Sequence, residues 1–221
     1  MRCLVTAGPT CEPLDQVRRL TNFSTGRLGT ELAGALTRAG HEVILLVSAN
    51  ATWSGPRHAR QVEAFDTTES LRQCLTKYAG RETGAVFHAA AVSDFVIGRV
   101  WARSPSGALA ELKAGKLPTR DGVLLAELRP APKLIASLRD WFPDAHLVGW
   151  KYEVDGATTD VLELARRQIH DNRTDVCVAN GPAYGPGFGW VTSRTPPEHL
   201  PDRETLFRHI LAWLASAGSL P

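Results

Sequence analysis

The chain has one methionine, three tyrosines and five lysines in 221 residues, and nowhere do about eighteen apolar residues follow one another without interruption. That last absence removes a transmembrane helix. The opening "MRCLVTAG" carries only a short apolar run, too brief for the core of a secretory leader, so a soluble, cytoplasmic protein that meets no membrane is expected. Cys3, Cys11, Cys74 and Cys177 form no Cys-x-x-Cys pair, and no histidine stands at metal-ligand spacing from them, which argues against structural zinc. Twenty-five basic residues against twenty-three acidic ones leave a formal charge of +2, and no basic run exceeds "ARR" at Ala165 to Arg167 or "RHAR" at Arg57 to Arg60. Nucleic acid is therefore not an expected partner. Two phosphate-binding motifs are missing as well: no Gly-x-Gly-x-x-Gly opens a helix after a strand, and there is no Gly-x4-Gly-Lys-Ser/Thr.

What is present is an alternation of strands and helices. Apolar runs at Arg2 to Thr6, His41 to Ser48, Ala85 to Val92, His146 to Tyr152 and Thr174 to Asn180 predict strands. Between them, helical spacing marks Leu28 to Ala39, closed by Gly40, then Thr68 to Tyr78, Lys133 to Trp141 and Val161 to His170. A last helix follows the cap Asp202, with Leu206, Phe207, Ile210, Leu211 and Leu214 on one side. This pattern predicts one α/β domain over residues 1–221, an open, mostly parallel, Rossmann-like sheet with helices on both faces. From Arg99 to Thr119 the periodicity is lost in a stretch rich in Gly, Pro, Ser and cations, which reads as a mobile flap.

Sheets of this kind bind ligands at the carboxyl ends of their strands, so function is expected in the loops after Thr6, after Ser48, around Ala90 to Asp94 and after Asn180. The first of these contains "TNFSTGRLG", Thr21 to Gly29. Glycines permit close backbone approach there, and a run of N–H groups at a helix start suits an anion. The alternative reading of the same residues is an ordinary helix start capped by Ser24 or Thr25.

"TAGPTCEPLDQVRRLTNFSTGRLG" (Thr6 to Gly29), "AAAVSDF" (Ala89 to Phe95) and "VAN" (Val178 to Asn180) occur in this order and together resemble the phosphopantothenoylcysteine synthetase family. The resemblance covers nearly the whole chain. It implies a ligase that joins 4′-phosphopantothenate to cysteine through an acyl-nucleotide made from CTP or ATP, with Mg²⁺ on the phosphates. It also implies a homodimer and, with the first strand beginning at Met1, a free-standing synthetase; "NFSTGRLG" and "AAAVSDF" read closer to the eukaryotic type. Carried over residue by residue, it puts Asn22, Ala90, Ala91 and Asp94 around phosphopantothenate, and Arg18 in the neighbouring subunit's site. Gly8, Ser24, Gly26, Gly29, Trp150 and Asn180 fall at nucleotide positions. A catalytic flap lysine is implied too, and "LKAGK" aligns in two registers, one giving Lys113 and the other Lys116; Lys116 is favoured because it follows an Ala114-Gly115 hinge.

The chain departs from the family's pattern at several places. Pro9 replaces a glycine and removes an N–H from the first loop. Trp150 stands for a phenylalanine, and Gln168 and Asn172 for two lysines of the bacterial type. Cys11 and His88 have no visible partner that would make either a nucleophile. Two other classes compete with the ligase: a paralogue that binds a nucleotide or a pantothenate-like ligand without ligating it, and a short-chain-type reductase. The reductase should carry Tyr-x-x-x-Lys, and none of Tyr78, Tyr152 and Tyr184 has a lysine four residues later.

Overall fold

A computed structural model describes residues 1–113, 115–118 and 122–217. In chain order its first half holds β1 (Arg2–Ala7), β2 (Cys11–Pro13), β3 (Arg19–Thr21), α1 (Arg27–Arg38), β4 (Glu42–Ser48), β5 (Gln61–Phe65), α2 (Thr68–Lys77) and β6 (Thr83–His88). There follow β7 (Phe95–Arg103), β8 (Leu109–Leu112), β9 (Val123–Pro130), α3 (Leu134–Trp141), β10 (His146–Tyr152), α4 (Thr158–Asn172), β11 (Val176–Asn180), β12 (Phe188–Thr192), β13 (Glu198–Leu200) and α5 (Arg203–Ala217).

The main sheet has the order β13-β12-β11-β10-β6-β1-β4-β5. From β11 to β5 every pairing is parallel, and β12 and β13 add an antiparallel edge. The central strands are apolar almost throughout because both faces are covered. Cys3, Val5 and Ala7 of β1 pack with Leu32 and Leu36 of α1 and with Leu206, Ile210 and Leu214 of α5. Leu4, between them, faces Leu71 and Leu75 of α2 and Leu138 of α3 on the opposite side. Helix α4 covers the far end of that second face, with Val161, Ala165 and Ile169 against Cys177 and Ala179. The open, mostly parallel α/β sheet with helices on both faces is the arrangement expected from the sequence, and Asp202 caps α5 as expected, accepting from Thr205 N–H at 2.7 Å. Among the described residues, no helix is long and apolar enough to cross a membrane.

The stretch from Arg99, which loses periodicity in the sequence and is expected to be a mobile flap, is strand-paired over much of its length. β7 pairs antiparallel with both β8 and β9, from Arg103↔Leu109 to Val100↔Leu112 and from Phe95↔Pro130 to Arg103↔Val123. Its Ser, Pro and Gly residues are concentrated in the turn, where Ser104 N–H donates to Ala108 O and Gly107 adopts φ +87°. After Leu112 the described residues Lys113 and Gly115 to Pro118 carry no strand. Ala114, half of the expected hinge, and Thr119, the expected end of the flap, lie outside the described residues.

Candidate functional site

β1 has β4 on one side and β6 on the other, so the chain reverses its direction of travel across the sheet between β1 and β6. A crevice opens at the carboxyl ends of strands at such a point. The two loops that border it are joined by backbone hydrogen bonds: Ala91 N–H donates to Gly8 O at 3.0 Å, and Thr10 N–H donates to Ala91 O at 3.1 Å. Pro9 lies between, opposite Ala91 in a parallel bridge. In that geometry the residues on either side of Pro9 make the bonds, so its missing N–H costs none of them. Asn22 joins the same point from the third segment, its Nδ2 donating to Ala91 O at 3.0 Å. Ala90 is fixed by Thr6, whose Oγ1 accepts its N–H at 3.0 Å.

Neither Ser24 nor Thr25 caps α1. The cap is Gly26, in the left-handed region at φ +79°, and no side chain closes this helix end. Among the described residues Thr25 Oγ1 accepts only from Arg27 N–H, at 3.3 Å. The reason is steric. A Cβ on Gly26 would come within 2.9 Å of Ala51 Cβ and 3.3 Å of Gly8 Cα, and one on Gly8 would come within 2.8 Å of Ser48 Cβ. Gly8 and Gly26 therefore meet backbone to backbone, and beyond Arg27 N–H the first-turn amides of α1 have no side-chain partner among the described residues, as suits an anion site. Gly29 serves a different purpose: a Cβ there would lie 2.7 Å from Thr6 O and 2.8 Å from Ala7 Cβ, so its smallness lets α1 seat on β1. Gly29→Ala is expected to cost about 1–3 kcal/mol through overpacking, after allowing for alanine's better helix propensity. Urea unfolding checks this, and a variant as stable as the parent contradicts the close contact.

Two expected nucleotide residues lie further along the sheet, on its α1/α5 face. Trp150 Nε1 and Asn180 Oδ1 are both buried without a hydrogen-bond partner among the described residues. Trp150 packs against the core of that face. Asn180 also lines an open cleft of about 490 Å³ with Tyr152, Gly181, Phe188, Asp202 and Arg203. Buried polar atoms left unpaired are uncommon, and a ligand is one way to satisfy them. Asp94 is exposed and paired with Lys133. Arg18 is engaged within its own chain, through Nη2 to Leu117 O at 2.6 Å. Lys113 and Lys116 are both exposed, with no ion pair among the described residues. Gln168 and Asn172 make structural contacts, Gln168 Nε2 to Cys177 Sγ at 3.2 Å and Asn172 Nδ2 to Gln168 O at 2.8 Å. Among the described residues, no group of three or more His, Cys, Asp or Glu side chains could hold a metal ion by itself.

Residues 1–195 match the DNA/pantothenate metabolism flavoprotein C-terminal domain family. The chain belongs to that family. It is 33% identical over 179 residues to the coenzyme A biosynthesis bifunctional protein CoaBC of Thermococcus kodakarensis, covering 81% of this chain and 41% of the relative. The Bacillus subtilis CoaBC is 30% identical over 192 residues, covering 86% of this chain and 43% of that protein. The chain thus spans about two fifths of the length of these curated relatives. Among solved structures, the DNA/pantothenate metabolism flavoprotein from Streptococcus pneumoniae superposes with a TM-score of 0.87 at 26% identity, over 98% of this chain and 99% of that one.

This DNA/pantothenate metabolism flavoprotein C-terminal domain also contains a buried polar network that the sequence reading did not assign. Glu12 Oε1 accepts the N–H and the hydroxyl of Thr68, at 3.0 and 2.6 Å, at the start of α2. A carboxylate is favoured at a helix N-terminus. The Thr68 hydroxyl is also 3.2 Å from Thr10 Oγ1, which accepts Ser93 N–H at 2.8 Å. The "TCEP" segment is thereby tied both to α2 and to the loop carrying Asp94. Its threonine and glutamate were visible in the motif, but their partners are distant in sequence. His88 likewise supports the loop rather than acting as a nucleophile: Nδ1 is 3.1 Å from Thr6 Oγ1, and burial lowers the ring's pKa to about 4.

Proposed function

We propose that this domain is a phosphopantothenate–cysteine ligase that works through an acyl-nucleotide made from CTP or ATP. The observation that carries the reading is the three-way junction at Ala91, where Asn22, the first strand's exit loop and the Ala89–Asp94 loop meet at the sheet's reversal point. Membership of the family supports it, as does the uncapped start of α1.

In the proposed reaction a carboxylate oxygen of phosphopantothenate bonds to the α-phosphorus of the nucleotide, and the bond to the bridging oxygen breaks to release pyrophosphate. The cysteine nitrogen then bonds to the acyl carbon, the carbon–oxygen bond to the nucleotide breaks, and the amine gives up a proton. No covalent enzyme intermediate is needed. The chain's part is to bring anions together and offset the charge that develops on the leaving group. The amides after Gly26 would face the nucleotide's phosphates, and Asn22 would hold the acyl acceptor without adding charge. Trp150 and Asn180 would satisfy their free polar atoms on the nucleotide. Mg²⁺, which needs only one or two carboxylates beside phosphate oxygens, would shield the triphosphate's charge, and Asp94, an exposed carboxylate paired with Lys133, would help hold it by exchanging that partner. Product analysis by mass spectrometry with phosphopantothenate, cysteine and each nucleotide tests the reading. Phosphopantothenoylcysteine with neither CTP nor ATP would overturn it.

The flap lysine remains the sequence's own proposal, with Lys116 favoured over Lys113. An ammonium that stabilises charge developing during nucleotidyl transfer affects turnover more than affinity. Lys116→Gln is therefore expected to lower turnover at least about tenfold, with Lys113→Gln costing much less. Steady-state kinetics decides between them, and a larger loss at Lys113 reverses the register.

A homodimer completes the proposal. Val17, Leu20, Phe23, Phe95, Leu125 and Leu128 are exposed apolar residues on the β2–β3 hairpin, on the segment after it and on the small sheet. Apolar exposure of this kind is a mark of association surfaces.

A further inference from the structure

We propose that Asp15 is a positioning residue that latches the lysine flap onto the hairpin leading to Asn22. The inference rests on the ligase reading for its kinetic consequence, and on geometry alone for the latch.

The turn between β2 and β3 folds around Asp15. Its Oδ1 accepts the N–H groups of Val17 and Arg18, at 2.8 and 2.7 Å. Oδ2 accepts Leu117 N–H at 3.1 Å, across 102 positions of sequence, and is also 3.1 Å from Arg18 Nη2. Arg18 Nη2 completes the ring by donating to Leu117 O at 2.6 Å. On the other side of Lys116, Gln16 N–H donates to Gly115 O at 2.9 Å. Leu117 buries its side chain against the protein. Lys116 is thus bracketed by hydrogen bonds to the backbone on both sides, one from the Gln16 amide and two to the side chains of Asp15 and Arg18 in the same turn. That turn continues through β3 directly to Asn22.

The Asp15 side chain is 1% exposed, which is unusual for a carboxylate whose only ion-pair partner among the described residues is a half-exposed arginine. Burial by itself would raise its pKa, but the N–H groups of Leu117, Val17 and Arg18, with the Arg18 charge, hold it below the ordinary carboxylate value. A buried, ionised acceptor with this many donors is a strong local constraint, because hydrogen bonds to a charged group exceed neutral ones. The constraint fixes where the lysine stands relative to Asn22. It does so without Asp15 touching substrate.

The test uses the full chain with Asp15→Ala, Asp15→Asn and each combined with Lys116→Gln. Hydrogen exchange reads the latch directly. In Asp15→Ala the Leu117 and Gln16 amides should exchange at least about tenfold faster, while core amides such as Leu4 and Val86 keep their parental rates. Asp15→Asn retains an acceptor oxygen and should fall between Asp15→Ala and the parent. Steady-state kinetics reads the positioning: Asp15→Ala should lower kcat about tenfold with little change in the nucleotide KM, and Lys116→Gln should cost under about twofold in that background because its effect has already been lost. Unchanged exchange at Leu117 overturns the latch. Faster exchange with additive kinetic losses overturns the positioning role. If the parent makes no product with any substrate, the ligase reading and the positioning role fail together, and the Leu117 exchange rate still decides the latch.

Discussion

An Asn22→Asp chain is expected to turn over roughly a hundredfold or more slowly than the parent, with its unfolding transition unchanged. Asn22 is exposed, and its one described contact is Nδ2 donating to Ala91 O. Aspartate removes that donor and sets a carboxylate oxygen against the carbonyl. Ala91 O keeps its second donor, Thr10 N–H at 3.1 Å, so the junction itself survives. What changes is the charge presented to an anionic acceptor, which is why the loss should appear in catalysis and not in folding. Kinetics and urea unfolding on one preparation check both halves, and unaltered turnover with unaltered Michaelis constants contradicts the role.

Arg18 supplies the second large effect. Its Nη2 is committed to Leu117 O and Asp15 in its own chain, while Nε and Nη1 have no partner among the described residues. Those free donors could reach a neighbouring subunit, where a guanidinium recognises a phosphate or carboxylate in two places at once. If each site combines Asn22 of one subunit with Arg18 of the other, Arg18→Ala and Asn22→Asp chains are each nearly inactive alone. Mixed, they form heterodimers with one intact site in two. Equal mixing then gives half heterodimers, so activity should return to at most about a quarter of the parent's, less what the Arg18→Ala chain loses with its own contact to Leu117. No recovery in dimers demonstrated to be mixed would confine Arg18 to its own chain, where its latch contacts already lie.

The central strands were legible because burial on both faces leaves runs such as Cys3 to Val5 and Val43 to Val47 apolar throughout. β7 to β9 were not, since their strands are half exposed and do not alternate cleanly; backbone pairing holds them, and composition says little about pairing. β2, β3 and β13 are three residues each, too short for any periodicity. At α1 the hydroxyls of Ser24 and Thr25 suggested a cap, but the approach of Gly8 to Gly26 moves the helix start past them. The loops of the candidate site could be read because their glycines and small residues fall in recognisable order. Asp15 and Glu12 could not be assigned, because each acts through a partner far along the chain: Leu117 for one and Thr68 for the other. Pro9 illustrates the converse, a departure that looked costly and is neutral in the bridge it occupies.

The most direct measurement of the central claim is pyrophosphate release with each nucleotide, first with phosphopantothenate alone and then with cysteine added. Formation of an acyl-nucleotide predicts release that depends on phosphopantothenate, stops near one equivalent per site without cysteine, and becomes continuous when cysteine is supplied. Folded protein that releases no pyrophosphate with CTP or ATP under either condition would contradict the account.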